Sequence, residues 1–135
     1  MRKPAAKQDD LIIPTSPHMH TVTVPGPSTA KLPHLCVWKI SENLSASVNI
    51  ERQPAATVGS GGKTDALTHP PTPPGIAFAT PPTNMNEAEI TKGSTTVNIN
   101  GKRAARSGDA CSTCNEAGPD SSGMVIALST VWIGG

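Results

Sequence analysis

The sequence predicts an all-β fold made of three related hairpin units that close into a ring. Three observations carry that prediction. First, the stretch Ser47–Ser60 lies on Thr96–Asp109 without a gap. This sets Val48 on Val97, Asn49 on Asn98, Ile50 on Ile99, Ala55-Ala56 on Ala104-Ala105, and Gly59 on Gly108. A chain that repeats itself in this way is built from repeated supersecondary units. Second, each terminus holds half of a third copy. Lys3-Pro4-Ala5-Ala6-Lys7-Gln8-Asp9-Asp10 has the Ala pair without the β-branched run, and Ser129-Thr130-Val131-Trp132-Ile133-Gly134 has the run without the Ala pair. Third, twelve glycines and fourteen prolines make up about a fifth of the 135 residues, too many for a helical fold.

Each β-branched run has period 2, with Val97 and Ile99 on one face and Asn98 and Asn100 on the other. Val48/Ile50 and Val131/Ile133 follow the same pattern, so the strands fall within 47–50, 95–99 and 129–133. Asn100-Gly101 is a hairpin turn signal, because both residues accept positive φ. The Ala pair after each turn is too small to fill a core. It suits a narrow axis where three backbones approach closely. Pairing the terminal strand beside the N-terminal segment completes the third unit and leaves fewer free sheet edges. The whole chain, 1–135, then reads as a single domain. Between the units lie Pro-rich segments, 14–34 and 70–82, and the Gly-Pro segment 115–123. Proline fixes φ and removes a donor, so these read as stiff extended loops. The single candidate for a helical turn is Asn86–Thr91, with Ile90 alternatively a strand residue.

Composition excludes several functions. The formal net charge of +1 gives no electrostatic footprint for nucleic acid or an anionic membrane. Three cysteines are an odd number, which argues against a disulfide framework. The first 25 residues contain Asp9, Asp10 and several prolines and no apolar core of a secretory signal, and no run is long enough to span a bilayer. A secreted form would therefore travel as part of a larger assembly or by another route. The sequence has no G-x-S-x-G, phosphate-binding loop or dinucleotide fingerprint. Its carboxylates Asp9, Asp10, Asp65, Glu87, Glu89 and Asp109 are scattered, and Asp109 after Gly108 reads as a turn cap. Cys111-Ser112-Thr113-Cys114 has redox spacing, but Gly118-Pro119 follows too soon for the helix such a site needs.

The residues able to hold a metal lie in or beside the loops. Counting from the second Ala of each unit, His20 is fourteen residues on, His69 thirteen and Cys114 nine. His34 ends the first Pro-rich loop. Units related by a threefold axis would bring these side chains to one end of it. Three histidines and one cysteine form a closed tetrahedral N and S set, which suits structural Zn(II) and leaves no open position for a catalytic water. His18 is the alternate to His20, and otherwise an exposed loop residue. Cys111 and Cys36 are the other alternates. Cys36 sits in the apolar run Leu35-Cys36-Val37-Trp38, where a cysteine packs as a small hydrophobe.

Lys102-Arg103-Ala104-Ala105-Arg106-Ser107-Gly108-Asp109 and Gln53-Pro54-Ala55-Ala56-Thr57-Val58-Gly59-Ser60 resemble the Pro-Ala-Ala-Arg motif of PAAR-repeat proteins. The resemblance extends over nearly the whole chain, to Thr130-Val131-Trp132-Ile133-Gly134. It implies a small conical PAAR-like fold with pseudo-threefold symmetry. Such cones cap the trimeric central spike of contractile injection machines: type VI secretion, extracellular injection systems and phage-like tails. The resemblance also implies a tip zinc held by three His and one Cys, carried over here as His20, His34, His69 and Cys114. The implied role is non-catalytic, a sharpened tip for membrane piercing with one chain per spike trimer. The particle would be assembled in the bacterial cytoplasm and delivered outside or into a target cell, meeting the membrane only transiently. An adaptor that docks a separate effector cargo is a second reading, and a zinc-dependent hydrolase a third. The motif is incomplete in places. Lys7 and Thr57 stand where the family has Arg, Arg103 stands for Pro, and the first unit lacks a Gly before its Asp.

Overall fold

The structure is a computed structural model. It describes residues 2–15, 18–23, 29–34, 37–63, 77–78, 87–113 and 122–135, with backbone alone for 18–23, 29–34, 63, 77–78 and 122. The strands in chain order are β1 (Lys3–Pro4), β2 (Leu11–Pro14), β3 (His18–Thr23), β4 (Thr29–His34), β5 (Trp38–Lys39), β6 (Asn49–Ile50), β7 (Gln53–Pro54), β8 (Gly61–Lys63), β9 (Ala77–Phe78), β10 (Glu87–Ile90), β11 (Asn98–Ile99), β12 (Lys102–Arg103), β13 (Ala110–Ser112), β14 (Ser122–Ile126) and β15 (Trp132–Ile133). The fold is all-β, with no helix among the described residues.

Three short antiparallel pairs share one register. Asn49 faces Pro54 in β6–β7, Asn98 faces Arg103 in β11–β12, and Trp132 faces Pro4 in β15–β1. The two termini thus form a pair equivalent to the two internal hairpins. These strands are two residues long, shorter than the runs that the sequence suggests. The backbone leaves the ladder early because the Ala pair that follows turns inward.

The Ala pairs hold the three units together. Ala6 N–H donates to the Ala105 carbonyl at 2.9 Å, Ala105 N–H to Ala56 at 3.1 Å, and Ala56 N–H to Ala6 at 3.0 Å. The three bonds close a ring. One step outward, Gln8 N–H bonds Pro54 O, Val58 N–H bonds Arg103 O, and Ser107 N–H bonds Pro4 O, each at 2.9 Å. Bridges Lys7↔Ala55, Thr57↔Ala104 and Arg106↔Ala5 repeat the same order. Ala5, Ala6, Ala55, Ala56, Ala104 and Ala105 are all buried. A larger side chain there would drive the backbones apart.

After each Ala pair the chain makes a tight turn and enters a six-stranded sheet, ordered β5-β2-β14-β13-β10-β8. The turn residues Asp9, Gly59 and Gly108 all have positive φ, at 69, 94 and 85°. Asp9 fills the place where the other units use Gly, as Asp tolerates the left-handed region better than most residues. Asp10 Oδ2, Ser60 Oγ and Asp109 Oδ2 accept the N–H of Lys7, Thr57 and Arg106 at 2.9, 3.0 and 2.7 Å. Asp109 is therefore the expected turn cap. The outer strand β8 meets the residues that follow β5. Ser41 N–H bonds Gly61 O at 2.8 Å and Gly61 N–H bonds Glu42 O at 3.2 Å, so the sheet nearly closes on itself.

Inside this sheet lie Ile40, Ile90 and Val125, one from each unit, all fully buried. The next rung is unequal: Ile12 pairs with Trp38, Gly62 with Ala88, and Cys111 with Gly123. Trp38 fills the space that the small partners in the other two units leave. A methyl group on Gly62 would overlap the Lys39 carbonyl oxygen, so the close approach of β8 to β5 requires glycine. A second cluster of Ile50, Ile99, Ile133, Ala5, Ala55 and Ala104 lies on the other side of the ring.

Two expectations are corrected. Asn86–Thr91 does not supply a helical turn: Glu87–Ile90 is strand β10, with Ala88 and Ile90 buried and Glu87 and Glu89 exposed. Period 2, with β8 and β13 on either side, overrides the weak helical propensity. The segment 14–34 is not only a Pro-rich loop. It contains the six-residue strands β3 and β4, paired from His18↔His34 to Thr23↔Thr29, with β9 beside β3. Pro33 is tolerated because β4 is an edge strand of that sheet.

Replacing Ala56 or Ala105 by Val should lower the unfolding free energy by about 1–3 kcal/mol through overpacking of the ring. The same change at exposed Ala46 should stay within about 0.5 kcal/mol. Denaturant unfolding of the three variants checks both.

Candidate functional site

The topology gives the molecule two distinct ends. β2, β8 and β13 each run away from the alanine ring, and β5, β10 and β14 return to it. β2, β8 and β13 therefore end, and β5, β10 and β14 begin, at the side of the sheet far from the ring. The end near the ring carries the three short pairs.

Four of the sequence-derived metal candidates lie on described backbone. His18 and His34 face each other as register partners, and His20 stands opposite Leu32. Directly opposed residues, and residues two apart on one strand, share a face. His18, His20 and His34 thus share one face of the β3–β4 hairpin, with Val22, Ala30 and Leu32. Met19, Thr21, Thr23, Thr29, Lys31 and Pro33 occupy the other face. In the sequence Pro33 and the prolines around these strands hide the hairpin. His69, Cys114 and Cys36 lie outside the described residues. Among the described residues, no three His, Cys, Asp or Glu side chains form a metal-holding group.

Cys111 is the fourth candidate, and its setting is that of a packing residue. It occupies β13 six residues after Ala105, where the first unit has Ile12 and the second has Gly62. It is buried, and its Sγ lies 3.7 Å from the Asp109 carbonyl oxygen. Burial, and then the Asp109 charge, push the thiol up to about 12. A thiolate is the ligating and nucleophilic form, so this site favours neither role.

The ring end is a surface built from β6, β11, β15 and the segments leading into them. Ile50, Ile99 and Ile133 point inward and are buried. Val48, Val131 and Trp132 are exposed, Trp132 by 57 %, and Leu128 by 82 %. The surface is held together by ties that pass from unit to unit. Asn100 Nδ2 donates to Ser45 Oγ at 2.7 Å, Ser94 Oγ donates to Gly134 O at 2.6 Å, and Thr130 N–H donates to Glu51 Oε1 at 2.6 Å. Asn100, Gly134 and Glu51 occupy the same place after the Ile of each unit. Glu51 and Arg52 both have positive φ, at 51 and 70°. This turn has no Gly or Asn to mark it, and the Glu51 carboxylate accepts the Thr130 N–H.

Arg106 has a clear task in its unit. Arg106 is buried, and its Nη2 bonds Asp109 Oδ1 at 2.9 Å while its Nη1 donates to Gly134 O at 3.1 Å. It therefore fastens the turn of one unit to the C-terminal strand. Lys7 makes the parallel contacts, to Asp10 Oδ1 at 3.0 Å and to Leu128 O at 2.9 Å. Thr57 and Ser60 replace the pair by neutral groups. Their turn needs no charge because Ser60 Oγ already bonds Thr57 N–H and donates to Asn43 O at 2.7 Å.

Among the described residues, no helix is long and apolar enough to cross a membrane. No protein-family model matches the chain, and no curated protein matches it.

The Thr130 bond holds the Glu51 carboxyl below its ordinary value of 4.5, with Lys7 adding a smaller pull in the same direction. A carboxyl with a lowered folded pKa stabilises above its unfolded value, and the contribution fades as pH falls through the folded value. The Thr130 amide resonance should therefore titrate with a midpoint below 4.5, and Glu51→Gln should remove that titration. Cys111 should remain unalkylated by iodoacetamide at pH 8 in the folded protein and react only after denaturation, as read by peptide mass mapping.

Proposed function

We propose that this chain is a PAAR-like tip that caps the trimeric central spike of a contractile injection machine. One observation carries the reading: the closed ring Ala6–Ala105–Ala56, by which a single chain presents three near-equivalent sectors. Three identical spike chains need three similar docking faces, and one polypeptide with three units supplies them. The docking face is the ring end, where Val48, Val131 and Trp132 are exposed beside the short strands. The opposite end, where β2, β8 and β13 end and β5, β10 and β14 begin, is the point of the cone. The role is mechanical and non-catalytic: it sharpens the spike for piercing a membrane. Assembly takes place in the bacterial cytoplasm, and delivery is as part of the particle.

A structural zinc fits this reading. The shared face of His18, His20 and His34 supports a site on the β3–β4 hairpin, and a set of imidazoles with one thiolate suits a closed zinc site. His20, His34, His69 and Cys114 would hold the ion, with His18 in place of His20 as the alternative. Bound zinc would supply a cross-link between the units, without redox or hydrolytic chemistry. Such binding contributes on the order of 10 kcal/mol to folding, a large share for so thin a core.

The test is elemental analysis of the purified chain together with native mass measurement on a trimeric spike protein. The expected results are one zinc per chain, one chain per trimer, and loss of zinc and thermal stability in the double variant His69→Ala, Cys114→Ser. A metal-free chain whose double variant melts unchanged sinks the zinc site. Failure to bind a trimeric spike, or another stoichiometry, sinks the tip reading.

A further inference from the structure

The three short pairs at the ring end share a register, but only two of them are covalent hairpins. β6 connects to β7, and β11 to β12, through two-residue turns, whereas β15 meets β1 from the opposite end of the chain. The amides of Ala55, Ala104 and Ala5 report on the three pairs. They donate to Val48 O at 2.9 Å, Val97 O at 3.0 Å and Val131 O at 2.9 Å.

The entry to the third pair also differs. Ser45 Oγ accepts the Val48 N–H at 2.9 Å, and Ser94 Oγ accepts the Val97 N–H at 3.0 Å. The equivalent residue three places before Val131 is Leu128, which is exposed and has no side-chain oxygen to offer. The closing segment is held instead by groups from elsewhere in the chain: Glu51 on Thr130 N–H, Lys7 on Leu128 O, Ser94 and Arg106 on Gly134 O, and Thr95 on Gly135 O. The last strand of the six-stranded sheet, β14, ends at Ile126, before this segment begins. Neither the sheet nor the Ala6–Ala105–Ala56 ring uses a hydrogen bond from residues 128–135.

We propose that residues 128–135 are a latch that opens from β1 as a unit while the alanine ring and the six-stranded sheet stay closed. Opening uncovers the backbone edge of Lys3–Ala5 and the buried apolar cluster around Ile50 and Ile99. A strand held by a short tether and side-chain ties opens more readily than one closed by a two-residue turn. The latch rests on the ring's geometry and does not depend on what the ring end docks against.

Amide hydrogen exchange on the full chain tests it, with each rate expressed as protection relative to the unstructured amide. Ala5 should be at least tenfold less protected than both Ala55 and Ala104, while Ala6 keeps the protection of Ala56 and Ala105. A smaller difference at Ala5, or loss of protection at Ala6 together with Ala5, overturns the latch. In Leu128→Ser, which restores the serine of the other two units, Ala5 protection should rise at least threefold with Ala55 and Ala104 unchanged. No rise there overturns the assignment of the weak closure to the missing serine.

Discussion

The fold depends on three peptide groups that satisfy one another. Ala6, Ala56 and Ala105 each donate one hydrogen bond and accept one within a closed ring, at the point where three backbones come closest. Buried backbone groups must find partners, and here they find them in the other two units and nowhere else. The arrangement favours small side chains, and all six alanines are buried. It also sets the phase of everything that follows. Six residues on from each of these alanines stand Ile12, Gly62 and Cys111, the three positions that open the sheet core.

The ring makes the units equivalent in backbone, and the core makes them unequal in side chain. One rung holds Ile12 with Trp38, and its counterparts hold Gly62 with Ala88 and Cys111 with Gly123. A threefold-symmetric core could not enclose an indole on each unit in so small a sheet. One large residue and several small ones fill the same volume, and interiors reward that filling through close packing. The inequality also explains Cys111, which completes the rung as a small apolar group.

Polar groups follow a similar economy. Three turns use Asp10, Ser60 and Asp109 for the same backbone N–H bond. Two of the three add a cation, Lys7 or Arg106, and each cation reaches a carbonyl of the C-terminal segment. The buried Arg106–Asp109 pair is satisfied on several sides, and this makes burial of both charges tolerable. The chemistry shared by the three units is thus a turn acceptor, and the charge is added where the non-covalent unit is fastened.

The sequence by itself determined the repeat, the all-β class, the split third unit and the crowded alanine axis. Each is a local pattern, such as Val-x-Ile before a turn and Ala-Ala after it, and local patterns survive in a linear string. Asp109 as a turn cap was legible for the same reason. Tertiary structure alone decided the β3–β4 hairpin, whose strand β4 contains Pro33, which an edge position accommodates. It also made Glu87–Ile90, inside the candidate helical turn, a strand, because neighbours on both sides supply its hydrogen bonds. Trp38 and Gly62 are far apart in the chain, and nothing in the string says that one leaves room for the other. The ties from Glu51 and Arg106 to the last segment are likewise long-range. Of the proposed site, the sequence supplied the residue types, and the register added that His18, His20 and His34 share a face, because strand pairing fixes face and rung where spacing along the chain cannot.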